Sequence, residues 1–157
     1  MNVLFSYYDG SLSDFVNESL RLTSRFIKCI LSPVSKTLID DLSRHGVIID
    51  SSWNHTLDNS AIRHIIKVHG SEKELLRGQI PLTCRDILLI PTILENYEKI
   101  SISRNRQGQI VIIYSATISD GETYYIEEVR NGRHELASNT MYKRKKGNSP
   151  TLMAEPR

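Results

Sequence analysis

The sequence predicts an α+β fold in which N-terminal helices pack on a roughly four-stranded antiparallel sheet. The first observation behind this is a change of hydrophobic period. Apolar residues recur at helical spacing up to Leu94, and from Lys99 onward they alternate. The second is the pair of turn signals Asn105-Arg106-Gln107-Gly108 and Ser119-Asp120-Gly121-Glu122, which separate runs rich in β-branched and aromatic residues, as in hairpins. The third is scale: 157 residues, 39% hydrophobic and 24% charged, suit one domain with an ordinary core. Helices first and a meander second is an α+β plan.

Taken in order, residues 12–31 read as a helix. Ser11 or Ser13 caps it, Phe15, Leu20, Leu22, Phe26, Ile27 and Ile30 fall at near-helical spacing, and Ser32-Pro33 stops it. Residues 34–46 read as a second helix closed by His45-Gly46, with Val47-Ile48-Ile49 extended. Residues 1–50 are thus expected to form a helical appendage, ahead of a second unit over 51–143 and a basic flexible tail over 144–157. Asn59 or Ser60 caps a helix ending at His69, and Gly70 offers a left-handed terminus. Ile62, Ile65, Ile66 and His69 share one stripe of it, with Arg63, His64 and Lys67 on the other side. A bridging segment carries Glu74 and Arg77 to Gly78-Gln79-Ile80-Pro81. Thr83 begins another helix, Asp86 completes its capping box, and Pro91 bends or ends it. Strands follow at 99–104, 109–116, 123–129 and 135–138, and residues 139–143 continue extended.

The net charge of +2 becomes informative once located. Lys143, Arg144, Lys145, Lys146 and Arg157 against Glu155 put +4 in residues 140–157, leaving −2 over residues 1–139. Such a run either holds a polyanion or is solvated charge. Cys29 and Cys84 give no disulfide framework and read as free thiols in a reducing compartment. The opening residues lack the pattern of a signal peptide, and no apolar run approaches the ~18 residues that span a bilayer. A cytoplasmic setting, in a host or target cell, is expected.

The chemistry-bearing side chains gather between Asn54 and Ile93 and again at residues 139–143. His64 and His69 supply acid and base near neutral pH, and Lys73, Arg77 and Lys143 can steady a developing phosphorane. Each has a plainer reading. His69 on an apolar stripe suits a packed core histidine, and His64 between Arg63 and Lys67 suits a solvated one. Glu74 and Arg77 suit a helix-surface pair, and His55 a turn. Thr140 and Tyr142 share a face, as a half-buried edge strand also requires. The two helix histidines are five residues apart, about 140° around a helix, so they do not converge on a metal as an i,i+4 pair does. No metal site and no cofactor is expected.

The order His55-Thr-Leu-Asp58-Asn59-Ser60, Arg63-His64-Ile-Ile-Lys67-Val-His69-Gly70, Glu74, Arg77-Gly78-Gln79-Ile80-Pro81, Asp86, Ile90-Pro91, closing on Leu136-Ala-Ser138-Asn139-Thr140-Met141-Tyr142-Lys143, resembles the phage-associated PBECR domains. These belong to the barnase, EndoU, colicin E5/D and RelE-like nuclease superfamily and occur on phage head-morphogenesis polypeptides and polymorphic toxin tips. The resemblance covers residues 53–146. It implies helices on a four-stranded antiparallel sheet, metal-independent RNA cleavage with tRNA a frequent target, and a toxin with a cognate immunity protein. By position it assigns His64, His69, Arg77, Thr140 and Tyr142 to catalysis. Lys67, Lys73, Glu74, Gln79 and Lys143 are assigned to substrate binding.

The expected reaction is attack of a ribose 2′-OH on the adjacent phosphate, giving a 2′,3′-cyclic phosphate. The competing expectation is a phage or mobile-element protein that uses the same fold to bind nucleic acid or a host protein without cleaving it.

Overall fold

The structure is a computed structural model that describes residues 6–21, 26–118 and 121–145. Its elements are β1 (Ser6–Tyr7), α1 (Leu12–Arg21), β2 (Ile27–Pro33), α2 (Lys36–Arg44), β3 (Asn54–Asp58), α3 (Asn59–His69), a 3₁₀ segment (Glu72–Arg77) and β4 (Gln79–Ile80). They continue with α4 (Cys84–Ile87), α5 (Ile90–Asn96), β5 (Lys99–Arg104), β6 (Ile110–Ile118), β7 (Gly121–Arg130), a 3₁₀ turn (Asn131–Arg133) and β8 (Glu135–Lys145). The α+β class holds, and the antiparallel meander β5-β6-β7-β8 is the four-stranded part the sequence predicts.

The sheet is larger than that meander and mixed in direction. Among the described residues it has eight strands in the order β1-β2-β3-β8-β7-β6-β5, with β4 also paired to β8. β3 runs parallel to β8, and β1 parallel to β2. Residues 27–31, read from sequence as the end of a helix that Ser32-Pro33 stops, belong to a strand of this sheet, β2. The apolar run Ile27-Lys28-Cys29-Ile30-Leu31 satisfies either period, and tertiary pairing decides: Cys29 lies opposite Leu57 on β3. Lys28 is buried with its ammonium 2.7 Å from Glu135 Oε1 at the start of β8, an ion pair a solvated helix would not bury. Pro33 sits at the strand's last position, where a missing N–H costs least.

One apolar cluster joins the helices to one face of the sheet. It includes Phe15 and Val16 of α1, Leu38 and Leu42 of α2, Ile62 and Ile65 of α3, and Tyr114, Tyr125, Leu136 and Met141 of the strands. Ile62 and Ile65 are wholly buried, so each contributes roughly 1.5–3 kcal/mol of apolar transfer. A smaller cluster, Val111, Ile126 and Tyr142 with Ile113 and Tyr124, sits on residues of opposite alternation, on the sheet's other face. Ser35 caps α2, its Oγ accepting from the Leu38 amide. The helix expected from Thr83 is two short helices divided at Leu88-Leu89, with Pro91 in the first turn of α5, where its missing N–H is tolerated.

Candidate functional site

α3 delivers His69 to the site from its last turn. Its cap is Asp58, whose Oδ1 accepts from the Ala61 amide at 2.7 Å, rather than Asn59 or Ser60. Gly70 ends the helix at φ −100°, not in the left-handed region. A Cβ there would lie 2.4 Å from the Ile66 carbonyl oxygen, so glycine is required by close packing. The left-handed residue is Gly78, at φ 72°, closing the 3₁₀ segment that carries Glu74 and Arg77.

His69 Nδ1 lies 3.0 Å from Glu74 Oε2, and Arg77 Nη1 donates to Glu74 Oε1 at 3.2 Å. Glu74 is wholly buried, His69 is 2% exposed and the Arg77 side chain is half exposed. Glu74 and Arg77 therefore are the i,i+3 pair that spacing suggests, but their carboxylate faces inward and is shared with an imidazole. The His64 ring meets the His69 ring edge-on at 6.2 Å between centroids and is half-buried.

β8 brings the other side of the cluster. Tyr142 lies 6.0 Å from His69, ring to ring, and stacks on Tyr124 of β7 at 4.9 Å. The Arg144 guanidinium lies over the Tyr124 ring at 4.5 Å and donates to its hydroxyl. Gln79, buried on β4, is the register partner of Arg144. Thr140, Tyr142 and Arg144 alternate along one face of β8, and all three are buried. Thr140 Oγ1, the Tyr142 hydroxyl, and Nε and Nη1 of Arg144 have no hydrogen-bond partner. Burial holds the Tyr142 phenol protonated well past the ordinary tyrosine range. It offers an O–H donor near neutral pH, not a phenolate base. Burial also raises Tyr124, which the Arg144 hydrogen bond partly offsets.

The structure thus brings together His69, His64, Glu74, Arg77 and Tyr142, with Thr140 two residues from Tyr142 on its strand face. Lys143 points elsewhere: its Nζ is 3.5 Å from Asp86 Oδ1, while Asp86 Oδ2 accepts from the Thr83 amide and hydroxyl. Lys67 and Lys73 are exposed on α3 and the 3₁₀ segment. The basic run is no uniform tail, because Arg144 and Lys145 belong to β8 and Arg144 is 5% exposed. Residues 146–157 lie outside the described residues. Arg144 and Tyr124 were missed at the sequence level. The alternation that pairs Thr140 with Tyr142 extends one step to Arg144, and this was the available signal. His55 is a buried strand residue, not part of a turn.

Among the described residues, no group of three or more His, Cys, Asp or Glu side chains is placed to hold a metal ion, and no helix is long and apolar enough to cross a membrane. A family model described as phage-Barnase-EndoU-ColicinE5/D-RelE like nuclease3 (PBECR3) matches residues 41–149, about two thirds of the chain. No curated protein and no solved structure matches.

Proposed function

The chain belongs to the PBECR3 family of phage-associated Barnase-EndoU-ColicinE5/D-RelE like nucleases, and on that premise we propose that it is a metal-independent endoribonuclease. The observation that carries this reading is the row of buried, unpartnered donors on β8. Two guanidinium nitrogens without a partner out of water are costly unless an acceptor such as a phosphate oxygen completes them. Tyr142 of the same row lies 6.0 Å, ring to ring, from His69, whose imidazole is oriented by the Glu74 carboxylate. Arg144, Tyr142 and Thr140 supply N–H and O–H groups for phosphate oxygens, and Glu74 holds His69 through Nδ1, leaving Nε2 to the substrate.

In the reaction we propose, His69 Nε2 takes the proton of a ribose 2′-OH. The O2′–P bond forms as the P–O5′ bond breaks, and imidazolium His64 donates a proton to O5′. Products are a 2′,3′-cyclic phosphate and a 5′-hydroxyl. Arg77 and Arg144 stabilise the charge on the pentavalent phosphorus. DNA lacks the attacking hydroxyl. Lys67, Lys73, Gln79 and Lys143 serve to hold the strand around the reacting phosphate. We propose tRNA as the target class, a toxin role against a competing or host cell's cytoplasm, and a cognate immunity protein as partner. Those three rest on the family resemblance. Incubation with total tRNA in EDTA, followed by end-group analysis, tests the reaction: cyclic phosphate and 5′-hydroxyl ends support it.

The near-complete burial of His69 favours a second reading, a non-cleaving module on the same fold that binds nucleic acid or a host protein. That protein retards RNA on a gel and leaves it intact.

A further inference from the structure

A second polar cluster lies at the other end of β8. His55 on β3 pairs in register with Leu136, six residues before Tyr142, so the two clusters are about 20 Å apart along the strand. His55 forms part of the wall of a cavity of about 270 Å³ between the end of β2, the first turn of α2 and the end of α5. Ser32, Ser35, Thr37, Leu94 and Tyr97 also line it.

His55 is only 3% exposed, and its Nδ1 lies 2.8 Å from Oε2 of the wholly buried Glu127. Glu127 Oε1 accepts the Tyr114 hydroxyl at 2.6 Å. With one carboxylate oxygen occupied by a phenol O–H and the other facing the ring, the proton of the His55–Glu127 contact belongs on Nδ1. Nε2 is then the ring's remaining polar atom, on a side chain that lines the cavity, and no hydrogen bond to it is made among the described residues. The same lining takes in Ser35 and Thr37 at the N-terminus of α2, a nine-residue helix with no acid in its first turn. Ser35 Oγ satisfies the Leu38 amide, whereas the amides of Lys36 and Thr37 precede the first intrahelical bond.

We propose that this cavity binds a phosphate monoester, the phosphate seated between the first-turn amides of α2 and His55 Nε2. The helix end supplies N–H groups and partial positive charge. Glu127 stabilises the imidazolium that then donates from Nε2, so a buried His–Glu pair becomes a charged relay to the anion. Tyr97 has its hydroxyl committed to Asp41, so with Leu94 it offers apolar surface to an organic group. Glu95, the acid on the lining, is exposed and screened by water. This site is independent of the nuclease reading and stands or falls without it.

The test is an NMR titration of the full chain with inorganic phosphate and, separately, with adenosine 5′-monophosphate, following the histidine ring resonances. The His55 resonance should shift saturably with both probes. Tighter binding of the nucleotide assigns the Leu94–Tyr97 wall to an organic group, and equal binding assigns the cavity to phosphate alone; either supports the site. Thr37→Glu places a carboxylate in the first turn of α2, where it favours the helix while competing with phosphate. It should weaken binding about tenfold or more, some 1.4 kcal/mol, without lowering the melting temperature. Arg144→Met should leave the His55 response unchanged, separating this cavity from the β8 cluster. A His55 resonance that phosphate does not move, or undiminished binding in Thr37→Glu, overturns the proposal.

Discussion

Glu74 Oε2 lies 3.0 Å from His69 Nδ1 with both side chains almost wholly out of solvent, and the same carboxylate holds Arg77 through its other oxygen. One buried acid therefore orients an imidazole and a half-exposed guanidinium together. Glu74→Gln keeps the volume and removes the charge. It should lower cleavage by about 10²-fold or more, within the range of positioned acid–base groups, and displace the acid limb of the pH–rate profile. An unchanged profile with reduced folded yield would mark Glu74 as structural only.

Arg144 should show opposite signs for stability and activity. Its Nε and Nη1 are buried without a hydrogen-bond partner, and replacing such a group by an apolar side chain removes a desolvation cost of about 1–3 kcal/mol. Arg144→Met is expected to raise the melting temperature in the absence of ligand and to lose RNA binding and turnover. A destabilised variant that still binds RNA would show the guanidinium to be a structural clamp on Tyr124.

Lys28 and Glu135 tie β2 to the first residue of β8 across the sheet. Burial lowers the Lys28 pKa and the Glu135 contact works against that shift. Glu135→Gln leaves a buried ammonium without its partner and should cost about 3–5 kcal/mol, whereas Lys28→Met with Glu135→Leu should be near neutral or stabilising. Urea denaturation measures both. A single-variant cost below about 1 kcal/mol would class the pair with exposed ion pairs.

The tyrosines predict an alkaline limit. Burial raises Tyr114 and Tyr125 well above the usual range and raises Tyr97 and Tyr142 as well. A phenol whose folded pKa lies above its unfolded value contributes stability that is present below the unfolded pKa. That contribution is lost as pH climbs from about 10 towards the folded value. Absorbance titration should find these four phenols protonated past the point where free tyrosine ionises, with unfolding free energy falling over the same interval. Ionisation of all seven tyrosines at the ordinary value in folded protein would contradict the buried arrangement.

What the sequence disclosed follows from where local signals decide structure. α3, the Thr83–Asp86 cap and the β5–β6–β7 hairpins rest on periodicity and turn chemistry within a few residues, and they stand where expected. β2 was not legible because Ile27–Leu31 fits either period and its strand state depends on Leu57 and Glu135, far along the chain. The parallel β3–β8 contact has no local signature at all. Within the site, His69, Glu74, Arg77 and Tyr142 were readable as residues, but not the burial of Glu74 or its sharing by two partners. Arg144 was hidden in a run of like charges whose neighbours, Lys143 and Lys145, face the other way or the solvent.

The most direct test of the account compares the parent protein with His69→Ala on total tRNA in EDTA, reading both the rate and the product ends. The parent should yield 2′,3′-cyclic phosphate and 5′-hydroxyl termini. The folded variant should fall by ~10²–10⁴-fold, the usual contribution of a general acid or base. Intact RNA from the parent, 3′-hydroxyl ends, or a folded variant within a few-fold of the parent would contradict it.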